Sequence, residues 1–195
     1  MQKSSFLYLL LICGIALLAA YHAFSQDLAP TVIVRLLALS AYFLLCVSLI
    51  IGPLVVFNLS LAPLIEPRRA VGLAAFVFAA LHLLLVVGLY FNWQVLESVS
   101  GFPNLVAVPA AAILAALALT SSDWATAKMG LATWKLLHRL VYVAFVLITA
   151  HFVLLARGLS FSHLNLAEAS LLALGAITVI LQVAGFMKKR EKKKE

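Results

Sequence analysis

The stretch 134-WKLLHRLVYVAFVLITAHFVLLARG-158 decides the fold. It is apolar over enough length to cross a bilayer as a helix, because about 20 residues rising about 1.5 Å each span a hydrocarbon core of about 30 Å. Yet it contains His138 and His151. Strongly polar side chains at such depth face the interior of a helix bundle and mark function by default, since lipid offers an imidazole nothing to bond.

Working outward, the rest of the chain repeats this apolar length. Of 195 residues, 65% are hydrophobic and 11% charged, where a soluble domain is about a quarter charged. Spans are expected at roughly 5–24, 32–57, 69–91, 104–120, 135–156 and 166–187. The expected fold is therefore all-α: an integral membrane six-helix bundle occupying residues 1–187, with a basic tail at 188–195. The joining segments are short. There is no GxGxxG, no phosphate-binding loop of Walker type and no alternation of strands, so a soluble redox partner is expected on a separate polypeptide. No internal repeat is evident.

The net charge of +7 does not point to nucleic acid, because of where it lies. With the N-terminus cytoplasmic, six spans return the C-terminus to the same side. That side collects Lys3, Arg68, Arg69, Lys128, Lys135, Arg139 and the tail 188-KKREKKKE-195, while the other keeps Arg35 and Arg157. This is the positive-inside asymmetry, and it sets the orientation of a multi-pass membrane protein whose tail touches anionic lipid. The start, 1-MQKSSFLYLLLICGIALLAAYHAFSQ-26, has features of a cleavable signal peptide. Its apolar core exceeds the usual h-region, so a retained first span is expected. Cys13 and Cys46 lie inside apolar spans without CxxC spacing and read as packing residues.

Local chemistry marks the breaks. Pro53 is expected to kink the second span. The segment 63-PLIEPRR-69 should turn the chain, and Tyr90, Trp93, Trp124 and Trp134 are placed to settle at the interfaces.

Depth sorts the five histidines. His82 follows Arg69 by about 20 Å of helix rise, and His151 follows Lys135 by about 24 Å, so the two lie at nearly one level on two spans that both run from inside to outside. His138 is one turn in from Lys135. Two histidines at one depth, with no thiolate or carboxylate near them in sequence, suit a b-type haem, which takes one imidazole on each side of the iron between two facing helices. Gly72, Ala74, Ala75, Ala79, Ala80 and Gly88 of the third span would let a flat ring approach. Against this stands a bland reading in which each histidine only hydrogen-bonds a neighbouring helix. That reading is favoured for His22 and His163, near the outer surface. Thirteen residues at about 100° each leave His138 and His151 about 140° apart around an ideal helix, so both face the third span only if the helix is distorted.

The segments 68-RRAVGLAAFVFAALHLLLVVGLY-90 and 119-LTSSDWATAKMGLATWKLLHRLVYVAFVLITAHFVLL-155 resemble the ferric reductase-like transmembrane domain superfamily, with the matching core at 64–157. Within it the chain is most similar to MsrQ-type subunits, small haem proteins without an attached flavin domain that pass electrons across the bacterial inner membrane to a periplasmic molybdenum enzyme repairing methionine sulfoxide. The resemblance implies that His82 and His151 hold the outer haem. It matches His138 to one half of the inner pair of the two-haem members. The other half would fall 14 residues before His82, where this chain has Arg68, so one haem b is implied and a second is left open.

Around His138, the positive charges of Arg68, Arg69, Lys135 and Arg139 suit haem propionates, the phosphate of FMN or an acidic donor. They serve equally as positive-inside anchors. The expected function is that of an oxidoreductase subunit moving electrons from a cytoplasmic flavin reductase or a quinol donor to an outer-face acceptor. Ferric reduction is the alternative in the same class, and a small proton-coupled transporter or a purely structural anchor is the alternative from another.

Overall fold

The computed structural model describes residues 30–158 and 166–191. The expected first span at 5–24, with Cys13 and His22, lies outside the described residues, as do His163, the side chain of Arg157 and the last four residues of the tail. All regular structure among the described residues is helical: α1 (Pro30–Phe57), a 3-10 helix (Leu59–Leu64), α2 (Ile65–Tyr90), α3 (Val95–Ser98), α4 (Phe102–Leu119), α5 (Asp123–Met129), α6 (Leu131–His138), α7 (Val141–Gly158) and α8 (Leu166–Glu191).

Five segments are long and apolar enough to cross a membrane: Pro30–Phe57, Leu59–Tyr90, Phe102–Leu119, Leu131–Leu155 and Leu166–Glu191. They answer to the second through sixth expected spans, and the protein is a multi-pass, all-α membrane protein. Outward-facing residues such as Val146, Ile180 and Leu84 are large, apolar and exposed, as lipid contact requires of a helix that is hydrophobic all round.

The joints differ from expectation in instructive ways. The turn after α1 is the 3-10 helix, capped by Asn58, whose side chain accepts from the Ser60 N–H. Pro67 lies within the first turn of α2, where its missing N–H would have had no helical partner anyway, so IEPRR belongs to the helix and not to the turn. The polar connection at 120–134 is itself helical: Ser122 caps α5 by accepting from Ala125 N–H at 3.0 Å. Gly130, at φ 76, makes the corner into α6. The chain breaks again at Arg139–Leu140, between α6 and α7. The basic run starting at Lys188 continues α8 as far as Glu191 and is not separate from it.

Helix α1 is the organiser. It packs along α2 and α8, α4 packs along α7, and α2 touches α4. Gly72, Ala74 and Ala75 of α2 serve the α1 contact: a Cβ on Gly72 would stand 3.4 Å from Ser48 Oγ, and both alanines are buried in the core cluster with Leu45 and Leu49. Gly88 makes room for Trp93, 3.0 Å from where its Cβ would be. Cys46 is fully buried in the same core.

Tyr42 of α1 joins three helices. Its ring stacks on Phe145 at 5.8 Å and meets Phe152 edge-on at 5.5 Å. The Thr149 hydroxyl spends its proton on the Phe145 carbonyl at 2.8 Å, so the Tyr42 hydroxyl donates to Thr149 Oγ1 at 3.1 Å. On the other side lies Gly175 of α8, where a Cβ would stand 2.1 Å from the Tyr42 hydroxyl. Lower on α1, Pro53 is carried within a continuous helix. Having no N–H, it frees the Leu49 carbonyl one turn back, and Gln182 Nε2 of α8 donates to that carbonyl at 2.6 Å. At the other end Arg35 Nε donates to Glu168 at 2.9 Å, tying α1 to the head of α8.

Candidate functional site

His82 stands late in α2 and His151 late in α7. Each is fixed by the same device. His82 Nδ1–H donates to the Val34 carbonyl near the head of α1 at 2.9 Å, and His151 Nδ1–H donates to the Pro103 carbonyl at the head of α4 at 2.7 Å. A carbonyl only accepts, so the proton is on Nδ1 and Nε2 carries the lone pair. In both cases the histidine follows its acceptor by 48 residues. The α1–α2 hairpin and the α4–α7 hairpin thus repeat one arrangement that the residue pattern does not announce.

Among the described residues, Nε2 of His82 and Nε2 of His151 have no hydrogen-bond partner. Their helices make no extended contact; α2 and α7 are joined through side chains such as Phe78, Tyr42 and Phe145. A neutral imidazole fixed through Nδ1 offers Nε2 as its metal-binding atom. Two such nitrogens from two helices can clamp a flat macrocycle from both faces.

The other expected residues lie at the opposite end, and they separate. His138 ends α6, stacks on Trp134 at 4.0 Å and has Nε2 3.3 Å from Thr120 Oγ1. Thr120 gives its own proton to the Ala116 carbonyl at 2.7 Å, so His138 Nε2–H is the donor, in the opposite tautomer from the other two. Trp134 Nε1–H also reaches this corner, donating to the Thr120 carbonyl at 2.9 Å. The chain breaks after His138, between α6 and α7, and His138 meets the end of α4 through Thr120, with no bond to α2.

Arg69 pairs with Asp123 at 2.6 Å. Its Nε and Nη2 are buried without a partner, which is costly for a charged group and fits an anionic group lodged there. The guanidinium holds the exposed Asp123 carboxyl below the usual carboxylate range. Arg68 turns the other way: its Nε donates to the Ser48 carbonyl on α1 at 2.9 Å. Arg139 and Lys135 are exposed. The expected basic cluster is therefore Arg69 beside His138, with Arg68 directed elsewhere. The Val34 and Pro103 carbonyls, Thr120 and Asp123 are site residues that sequence reasoning missed. Of these, only Asp123 carried a signal, as an acid in a basic segment.

Residues 34–149 match the family described as Ferric reductase like transmembrane component. The chain is also similar to proteins named protein-methionine-sulfoxide reductase heme-binding subunit MsrQ. The one from Caulobacter vibrioides is 39% identical over 104 residues, 51% of this chain and 50% of the relative. That from Rhodospirillum rubrum is 38% identical over 95 residues, 47% of this chain and 46% of the relative. That from Agrobacterium fabrum is 33% identical over 147 residues, 72% of this chain and 66% of the relative. The chain spans about half the length of the first two and 66% of the third. The family match runs from Val34, the acceptor for His82, to Thr149 within α7, two residues short of His151, and on that extent the chain belongs to the Ferric reductase like transmembrane component family.

Proposed function

We propose that His82 and His151 hold one b-type haem between α2 and α7, and that the protein carries electrons across the bacterial inner membrane to a periplasmic, molybdenum-containing methionine sulfoxide reductase. In this reading residues 1–187 form a six-span domain with both termini cytoplasmic. The electrons come from a cytoplasmic flavin reductase or a quinol. The observation that carries the reading is the matched pair of tethers, which leaves two Nε2 lone pairs free on helices that do not close on each other. The haem-binding name of the relatives agrees with it.

When bound, the haem would supply a one-electron couple, and His82 and His151 are the residues that would hold it. The chain's part is placement. Each carbonyl fixes the plane of its imidazole and, by accepting from Nδ1–H, raises the basicity of Nε2. Apolar side chains of α1, α2 and α7 keep water away. At the opposite end Arg69, with Nε and Nη2 unpartnered, suits an anionic group such as a propionate or the phosphate of FMN, while the N–H of His138 is given to Thr120. Arg68 and Arg139 contribute positive charge to the same end.

The test separates ligation from simple hydrogen bonding. An asparagine carries its N–H₂ donor close to where Nδ1 lies, so His82→Asn keeps a donor for the Val34 carbonyl while removing the ligating nitrogen. Purified from cells supplied with haem, the wild-type protein is expected to show a Soret band that shifts on dithionite reduction, and His82→Asn and His151→Asn are expected to lose it, whereas His163→Ala keeps it. A full Soret band in His82→Asn would mean that the histidine serves only the helix contact. Reoxidation of the reduced protein by a molybdenum-containing methionine sulfoxide reductase supplied with protein-bound methionine sulfoxide, compared with reoxidation by a ferric chelate, then identifies the acceptor.

A further inference from the structure

The end of the bundle remote from His82 and His151 has an open cleft of about 110 Å³ between α1, α7 and α8, lined by Arg68, Lys189, Tyr142, Gln182 and the apolar Val56 and Phe186 among others. Its walls are set by α1 around Pro53. The Leu49 carbonyl, freed by Pro53, accepts from Gln182, and the Ser48 carbonyl accepts from Arg68 Nε. The second contact lays the Arg68 guanidinium across Gly52, where a Cβ would stand 3.3 Å from Nη1. The Tyr142 hydroxyl donates to Gln182 Oε1 at 3.3 Å, completing a polar wall.

The charges around this cleft are of one sign. Arg68 and Lys189 line it and no carboxylate does. Among the described residues neither forms an ion pair. Lys188 lies over the ring of Phe57 and Arg190 over Phe186, each at 5.0 Å, so two more cations flank the opening. Like charges gathered at one opening repel, and an anion between them relieves the repulsion. From Phe186 at the wall of the cleft the apolar surface continues to Val183, and both residues are exposed on the same helix, at the surface that meets lipid.

We infer that this cleft is a binding site for the headgroup phosphate of an anionic phospholipid, with Arg68 and Lys189 as its cationic contacts and the acyl chains lying along Val183 and Phe186. The volume holds a phosphate and little more, and the continuous apolar flank selects a lipid over a free anion. Basic pockets between transmembrane helices bind headgroups in this way, at about 1 kcal/mol, or about fivefold in affinity, per basic residue.

The experiment uses the full chain in detergent, stripped of lipid. Native mass spectrometry then follows added phosphatidylglycerol, phosphatidylcholine of the same acyl chains, or inorganic phosphate. One phosphatidylglycerol is expected to be retained in preference to phosphatidylcholine. Lys189→Gln, at a solvent-facing position that leaves the fold intact, and Arg68→Gln are each expected to weaken its binding about fivefold, with Lys128→Gln, a basic residue on α5 outside the cleft, without effect. Equal retention of the two lipids, or equal loss in Lys128→Gln and Lys189→Gln, would overturn the site. Displacement of phosphatidylglycerol by inorganic phosphate at matched concentration would overturn the lipid assignment in favour of a small-anion site.

Discussion

Gly175 and Tyr42 permit a prediction whose size follows from the coordinates. A Cβ at Gly175 would lie 2.1 Å from the Tyr42 hydroxyl oxygen, with the ring carbon Cζ next at 3.2 Å. Unbonded heavy atoms rest at about 3.5 Å or more, so Gly175→Ala forces a shift of more than 1 Å. The ring has nowhere to go: it is 3% exposed, stacked on Phe145 and edge-on to Phe152. Overpacking of this kind costs about 1–3 kcal/mol, against about 1 kcal/mol that alanine gains over glycine in a helix. Tyr42→Phe removes the offending oxygen and one interhelical hydrogen bond, a loss of about 0.6 kcal/mol. It orphans nothing, since Thr149 still donates to Phe145. With the oxygen gone, the nearest atom to the new methyl is the ring carbon, which needs to give only a few tenths of an ångström.

The two substitutions must therefore be coupled. Gly175→Ala destabilises the native protein but is neutral or stabilising in Tyr42→Phe, with a coupling of about 1–3 kcal/mol. Unfolding of the four proteins in one detergent, read by tryptophan fluorescence against denaturant, gives the cycle directly. Additivity within about 0.5 kcal/mol would mean that the hydroxyl does not lie against Gly175, and the account of Tyr42 as the joint between α1, α7 and α8 would fail.

Two further outcomes follow from single contacts. Gln182→Leu leaves the Leu49 carbonyl unpaired in an apolar setting and should cost about 1–3 kcal/mol; in Pro53→Ala, where residue 53 regains an N–H for that carbonyl, the same change should cost little, measured by the same unfolding assay. The Asp123 carboxyl is held below its usual range by the hydrogen bond and charge of Arg69, so its folded pKa lies under the unfolded value of about 3.9. Its contribution is then fully present above that unfolded value and is lost as pH falls through the folded one. Since the carboxylate is exposed, the stability difference between wild type and Asp123→Asn should be small, vanish in acid and shrink in salt. A difference that grows on acidification would contradict the assignment.

What could be read from the sequence is what the bilayer dictates. A span must be long and apolar whatever surrounds it, so the last five spans were legible to within a few residues, and depth along a helix follows from counting, which put His82 and His151 at one level. Orientation around the helix was not legible in the same way. Arg68 and Arg69 are neighbours about 100° apart, and nothing in RR says which one turns inward. The answer depends on α1, another helix, where Arg68 Nε finds the Ser48 carbonyl and Gly52 leaves room for the guanidinium. The small residues of α2 were equally ambiguous, since closeness to a cofactor and closeness to α1 demand the same glycine and alanines. The break at Arg139–Leu140 has neither proline nor glycine to mark it.

The tethers on the two histidines were invisible for a different reason: their acceptors are main-chain carbonyls, which every residue possesses, so Val34 and Pro103 carry no signal in their side chains. Their placement has a structural consequence. Each bond closes within a hairpin, His82 to Val34 inside α1–α2 and His151 to Pro103 inside α4–α7, so the direction of each imidazole is settled by a helix pair that packs on its own. The distance between the imidazoles is set separately, by the side chains through which the hairpins meet, with Tyr42 of the first hairpin stacked on Phe145 and Phe152 of the second. Orientation and spacing of the pair thus rest on different contacts. A change in the Tyr42 layer is expected to alter the gap between the two imidazoles while each keeps its tether, whereas loss of one tether frees one ring and leaves the other in place. On the reading proposed above, the width of the site can therefore change without either ring being released.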